Sequence, residues 1–201
     1  MLWGKHDADL LTFYRAVDES IGEVMRREPA AQLIVMSDHG FSTFDRAVNL
    51  NTWLLQQGLL GVDRARNIDW AHTKAYAVGL NSLYLTGADR ADVRRQLLSL
   101  RDPENGRAVV ETVADMHAAA ANRSVAPDLI IGYAAGYRAS WETGLGEVPD
   151  EVLETNTDAW IADHCINAAD VPGVLFTLRT PAPGEQSLKT LSGFILRLFG
   201  M

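Results

Sequence analysis

The sequence holds a single cysteine, Cys165. An internal disulfide is excluded, and a reducing compartment is the natural expectation. Long apolar runs are missing too. Nothing approaches the roughly 20 residues of a membrane-spanning helix, and the apolar stretch LSGFILRLFGM is short and interrupted by Arg197. The opening residues MLWGKHDADLL contain no extended apolar h-region, so no signal peptide is evident and a cytoplasmic location is expected. Basic charge is scarce: 18 Lys and Arg stand against 26 Asp and Glu, for a net charge of -8. That balance argues against binding a nucleic-acid backbone, which needs clustered cations. It leaves room for a small phosphorylated substrate, because a bound metal can supply positive charge locally. Two motif classes are also absent. There is no Gly-rich phosphate loop of the P-loop or dinucleotide type. There is no G-x-S-x-G nucleophile elbow.

What is present suits an α/β protein. A chain of 201 residues, 47% apolar, is long enough for one domain with a real core and not clearly for two. Leu10, Phe13, Tyr14, Val17, Ile21, Val24 and Met25 recur at spacings of three and four, which predicts a helix that Pro29 ends. Asp7 or Asp9 is placed to cap it. The run AQLIVMS that follows reads as a strand covered on both faces, the signature of a largely parallel sheet. Further on, NLNTWLLQQGLL predicts a helix closed by Gly58, KAYAVG and SLYLTG two short strands, and DRADVRRQLLSL a helix with Asp89 at its start. DPENG is a turn, AVVETV, PDLIIGY and VPGVLFTL are strands, and SLKTLSGFILRLFG is a closing helix. Residues 134–160, rich in Gly, Thr and acids, read as a long functional loop or lid. Tyr137, Trp141 and Glu142 there either face a substrate or pack the loop down, and packing is the simpler reading.

The chemistry concentrates in LIVMSDHGF, residues 33–41. An apolar strand runs directly into Asp38 and His39, two good metal ligands, and then Gly40. Adjacent side chains on a regular strand point to opposite faces. For both to hold one ion the backbone must turn, and Gly40 permits a turn. Carboxylate oxygen with imidazole nitrogen suits zinc, manganese or iron. In open α/β sheets ligands bind beyond the carboxyl ends of the strands, which is where this pair lies. A second Asp-His pair, Asp163 and His164, stands in ADHC. Its neighbour Cys165 reads as a small buried thiol more readily than as a soft ligand. His6, His72 and His117 have no comparable setting and read as surface residues, His117 on a helix in DMHAAAA.

The order of segments YRAVDESIGEVM, LIVMSDHGF, NLNTWLLQQGLL, KAYAVGLNSLYLTG, PDLIIGY and DHCINAADVPGVLFTLR resembles the type I phosphodiesterase/nucleotide pyrophosphatase family of the alkaline phosphatase superfamily. The resemblance covers nearly the whole chain and is to the carboxy-terminal half of the family's domain. SDHGF with a later Asp-His is its most specific part. The closing segment is similar to the family's terminal helix but lacks its usual Asp and Pro. The resemblance implies an alkaline phosphatase-like fold: a central, largely parallel sheet with helices on both faces. Residues 1–201 would then be a single partial domain with the amino-terminal portion missing. It implies two divalent metal ions, usually zinc, acting on a small phosphorylated substrate such as a nucleotide or phosphodiester. Asp38 and His39 match the ligands of one metal and His164 matches a ligand of the other. One ion would activate the attacking hydroxyl and the other stabilise the leaving oxygen.

The family's Thr or Ser nucleophile, its early metal-binding Asp and a D-x-x-x-H segment are expected upstream of Met1. Ser42 and Thr43 do not match that nucleophile, and His6 does not replace the missing histidine. The chain is therefore expected to be a fragment that binds metal weakly and hydrolyses nothing well alone. Unpaired strand edges would leave it prone to association. Two other readings remain open. One is a non-catalytic remnant or assembly module. The other is a sister activity of the superfamily: phosphonate hydrolase, phosphomutase or sulfatase.

Overall fold

A computed structural model describes residues 6–116, 125–178 and 187–201. His117, expected on a helix surface, lies outside the described residues. The chain divides into two compact units. One comprises residues 1–40 and 172–201, the other residues 41–171.

The first unit opens with helix α1 (Asp7–Arg27). Asp7 and Asp9 do not cap it: His6 occupies the cap position without a side-chain bond, and both acids sit in the first turn. There they act on the helix dipole, as Arg26 and Arg27 do at the other end. Strand β1 (Ile34–Met36) follows Pro29 and pairs antiparallel with strand β10 (Leu175–Thr177). The expected two-sided burial of β1 is not met: Ile34 and Val35 are half-buried and Met36 is exposed. No residue of α1 is buried, and Phe13 and Phe176 are 63% and 66% exposed. Tyr14, Ile21, Met25, Val35 and Phe176 line a largely apolar cavity of about 600 Å³ within this unit. Helix α5 (Leu188–Leu198) completes it, burying Leu191 and Phe194.

The second unit holds two sheets. In one, strand β2 (Ser42–Val48) is the hub. It pairs parallel with β7 (Gly136–Ala139) and antiparallel with β8 (Leu153–Thr155) and β9 (Ala162–Asp163). The other is antiparallel throughout, in the order β3 (Ala75–Ala77), β4 (Ser82–Leu85), β6 (Leu129–Tyr133), β5 (Val110–Asp115). The fold is mixed α/β, but the central, largely parallel sheet expected from the apolar runs is not seen. Among the described strand pairs only β2 and β7 run parallel. The physical reason is plain in β6. Four of its five residues are buried, so LIIGY is apolar because it is covered on both faces. Such a run reports burial and carries no information on the direction of its neighbours.

Helix α2 (Leu50–Gln56) and helix α3 (Arg90–Ser99) pack Leu50, Trp53, Leu54, Val93 and Leu97 into one core with Val113, Leu129 and Ile131. Gly58 closes α2 with φ 68°, a left-handed turn that favours glycine. Asp89 caps α3 by accepting from the Asp92 backbone N–H at 2.8 Å. Buried polar side chains fix the loops. Asn49 donates to the Glu151 carbonyl at 2.8 Å, and Thr52 donates to the Pro149 carbonyl at 2.7 Å. Residues 134–160 are not a lid: they form β7, the short helix α4 (Trp141–Leu145) and β8, all engaged with the unit's core or its β2 sheet.

Candidate metal centre

Strand β1 ends at Met36, and the chain bends at Asp38 before His39 makes an isolated antiparallel bridge with Pro172. The bend breaks the strand alternation and turns both side chains to one side. Asp38 Oδ2 lies 3.6 Å from His39 Nε2. His39 Nδ1 lies 2.9 Å from the Gly40 carbonyl, which can only accept, so Nδ1 donates there and Nε2 is the ring nitrogen on the side of Asp38 Oδ2. An outer carbonyl that fixes the tautomer of a ligating histidine is a recurrent feature of metal sites. The fit to an ion can be tested directly. With metal–ligand bonds of about 2.1 Å, two donor atoms 3.6 Å apart subtend roughly 120° at one ion. That is close to tetrahedral, and the pair fits.

A second glycine, Gly173, is needed at this corner. Gly40 is not in the left-handed region. A Cβ on Gly173 would fall 2.3 Å from the Ser37 carbonyl oxygen and 3.0 Å from the Asp38 carbonyl. Only a residue without a side chain lets the returning strand pass so near the Asp38 backbone. No local sequence signal marks this role, because Ser37 and Gly173 are far apart along the chain.

His164 belongs to the second unit, where Phe41 stands edge-on to its ring at 6.0 Å. Candidate ligand atoms of Asp163, His164 and Cys165 lie within 4.8 Å of one another. The three are not equivalent. Asp163 is buried and its carboxylate is already saturated. Oδ1 accepts the backbone N–H of His164 at 2.7 Å and of Cys165 at 3.2 Å. Oδ2 accepts the Trp160 indole N–H at 3.2 Å and lies 2.6 Å from Arg138 Nε. Burial would raise this carboxyl, but the His164 N–H, the Arg138 charge and the other two N–H groups outweigh it and hold it below the usual carboxylate range. The Cys165 thiol is pushed up to about 11, chiefly by burial and then by the Asp163 charge. With the Asp163 carboxylate committed to these contacts, His164 is the exposed member of the trio.

Arg138 was not singled out by its sequence. Its side chain is 2% exposed, its guanidinium 4.0 Å from the Trp141 ring centroid and 5.4 Å from that of Phe44. Neither Nε nor Nη2 makes an aligned hydrogen bond, so charge and stacking on the rings hold it. Of the three residues expected to pack, only Tyr137 is buried; Glu142 is half-buried and Trp141 is exposed. Tyr137 is buried and donates to Asp102 Oδ2 at 3.0 Å, and Trp141 covers Arg138. His6 and His72 face solvent beside Asp9 and Asp69. Ser42 and Thr43 are β2 residues registered with Asp163 and Ala162.

The family model described as type I phosphodiesterase / nucleotide pyrophosphatase matches residues 2–159. The chain belongs to this family. The match covers most of the sequence and includes Asp38 and His39, while His164 lies just beyond its end. Neither the curated proteins nor the solved structures yield a match. Members of the family are hydrolases of phosphodiester or nucleotide substrates and are metal-dependent in general. No helix among the described residues is long and apolar enough to cross a membrane.

Proposed function

We propose that this chain carries the metal-binding part of a phosphodiester or pyrophosphate hydrolase. In this reading Asp38 and His39 hold one divalent ion, most suitably zinc, and His164 contributes to a second. The observation that carries the reading is the Asp38–His39 pair. Its donor atoms are 3.6 Å apart and its imidazole is anchored through Nδ1 to the Gly40 carbonyl. A bound divalent ion would supply positive charge to a phosphoryl oxygen and lower the pKa of an attacking hydroxyl or water. The residues' own part is to orient. The Gly40 carbonyl fixes the His39 tautomer, and Asp38 offers a largely solvent-facing carboxylate beside it. We assign no nucleophile among the described residues. A second reading, a non-catalytic binding or assembly module, draws on a different observation. The exposed apolar faces of α1, β1 and β10 support association through the first unit.

The test is hydrolysis of bis(4-nitrophenyl) phosphate by zinc-loaded protein made from the complete reading frame. Asp38→Ala and His39→Ala should each lower kcat/KM on the order of 100-fold, at least what loss of an outer-shell partner costs. Unchanged rates in both variants would remove the assignment. No hydrolysis by the parent protein would leave the binding-module reading.

A further inference from the structure

We propose that Arg138 and Asp163 are positioning residues for His164. The proposal rests on the reading of His164 as a metal ligand, and extends it to a buried ion pair that the resemblance does not mention. Asp163 ends strand β9, and its carboxylate turns onto its own following backbone. By accepting from the N–H groups of both His164 and Cys165 it fixes the direction in which the chain leaves the strand. The His164 ring takes its direction from that backbone. The carboxylate is in turn clamped from its other side by the Trp160 indole and by Arg138. Arg138 is set by strand β7, where it registers with Ala47 of β2, and by the rings of Trp141 and Phe44. A continuous line of contacts thus runs from the sheet and two aromatic rings, through Arg138 and Asp163, to the root of His164.

Stability alone is a weak reason for this arrangement. Burying two charges costs several kcal/mol per ion in desolvation, and apolar residues of similar volume often do as well. The Arg138 donors are not even well aligned. What the pair does that apolar residues cannot is hold two backbone N–H groups through a charged acceptor, directly beneath one imidazole. Phe41 meets the edge of the His164 ring at 6.0 Å, and the Asp163 carboxylate sets the backbone from which that ring springs.

The experiment is a Zn²⁺ titration of the whole chain, followed by NMR through the ring C–H signals of its histidines. His39 lies in the other unit and serves as an internal control. The parent chain is compared with Arg138→Met and with the double variant Arg138→Met/Asp163→Leu. The double variant leaves no unpaired buried charge and keeps the test open if the single variant does not fold. The expected result is that the Zn²⁺ dissociation constant read at His164 weakens about 10- to 100-fold, while that read at His39 stays the same. Arg138→Lys, which keeps the cation, should recover part of the affinity. If His164 binds Zn²⁺ equally well in the parent and in the folded variant, the positioning role is overturned while the ligand reading stands. Equal weakening at His39 and His164 would reduce the pair to general stability and would also overturn it. If the His164 signals of the parent ignore Zn²⁺ altogether, the ligand assignment itself fails, and this inference with it.

Discussion

Replacing Asn51 by alanine should strongly destabilise the second unit. Asn51 is fully buried at the start of α2. Its Nδ2 donates to the Ala77 carbonyl at 2.9 Å and to the Glu147 carbonyl at 3.2 Å, and its Oδ1 accepts the Ala77 N–H at 2.7 Å. It stands where a further strand would otherwise pair with β3, whose outer edge is completed by Asn51 and by the Leu59 carbonyl. In Asn51→Ala both backbone groups of the buried Ala77 lose this partner. Each stranded group costs about 1–3 kcal/mol. Two such groups give about 2–6 kcal/mol, and the vacated volume adds to that. A loss of about 4 kcal/mol is expected, a large part of the 5–15 kcal/mol typical of a domain. Urea unfolding followed by the fluorescence of neighbouring Trp53 measures it, provided the m-value is unchanged. Asn51→Asp is the sharper control. It keeps the acceptor for the Ala77 N–H but aims a carboxylate at two carbonyls. Burial and those carbonyls raise the folded-state pKa of the new carboxyl, so its deficit should shrink as pH falls and protonation restores a donor. The Asn51→Ala deficit should not depend on pH in this way. A loss below about 1 kcal/mol for Asn51→Ala would refute the reasoning.

Gly173→Ala should open the corner that carries Asp38, because the nearest obstacle to its Cβ is backbone, at 2.3 Å. We expect a cost of about 1–3 kcal/mol and faster amide hydrogen exchange at Ser37 and Val174, whose cross-strand bonds flank it. Asp102 provides a pH test. Its burial would raise the carboxyl, but the Glu104 N–H, Tyr137, the Arg46 charge and Asn105 together hold it below the usual range. Its contribution to stability is therefore present above the unfolded-state pKa of about 3.9 and is lost as pH falls through the depressed folded value. The difference in urea midpoint between the parent and Asp102→Asn should be full at pH 6 and vanish toward pH 2. Leu97→Ala, at a fully buried position of α3, should lower stability by about 2–5 kcal/mol in the same assay.

The helices and the second sheet were largely legible in the sequence, because α1, α2, α3 and strands β3 to β6 carry period or apolar runs bounded by turn residues. The first sheet was not. Its hub β2, STFDRAV, reads as polar because Arg46 is satisfied far away in sequence, by Glu104 at 2.9 Å and by the buried Asp102 at 3.4 Å. β7 and β8 were hidden in a stretch of Gly, Thr and acids that read as a loop. At the site, Asp38 and His39 were legible as a pair because they are adjacent and follow an apolar run. Gly173 was not, since its role depends on backbone brought back by the β1–β10 pairing. Neither was the difference between Asp163 and His164. Two Asp-His pairs look alike in sequence. In one the carboxylate is 70% exposed, and in the other it is consumed by three N–H groups and an arginine.

The central claim is that Asp38, His39 and His164 bind divalent metal. The most direct measurement is an anomalous difference map at the zinc edge from crystals of the chain grown with Zn²⁺. The account predicts one peak about 2.0–2.2 Å from an Asp38 carboxylate oxygen and from His39 Nε2, and a peak at the same distance from a ring nitrogen of His164. Fully occupied zinc elsewhere on the chain, with none at these side chains, would contradict it.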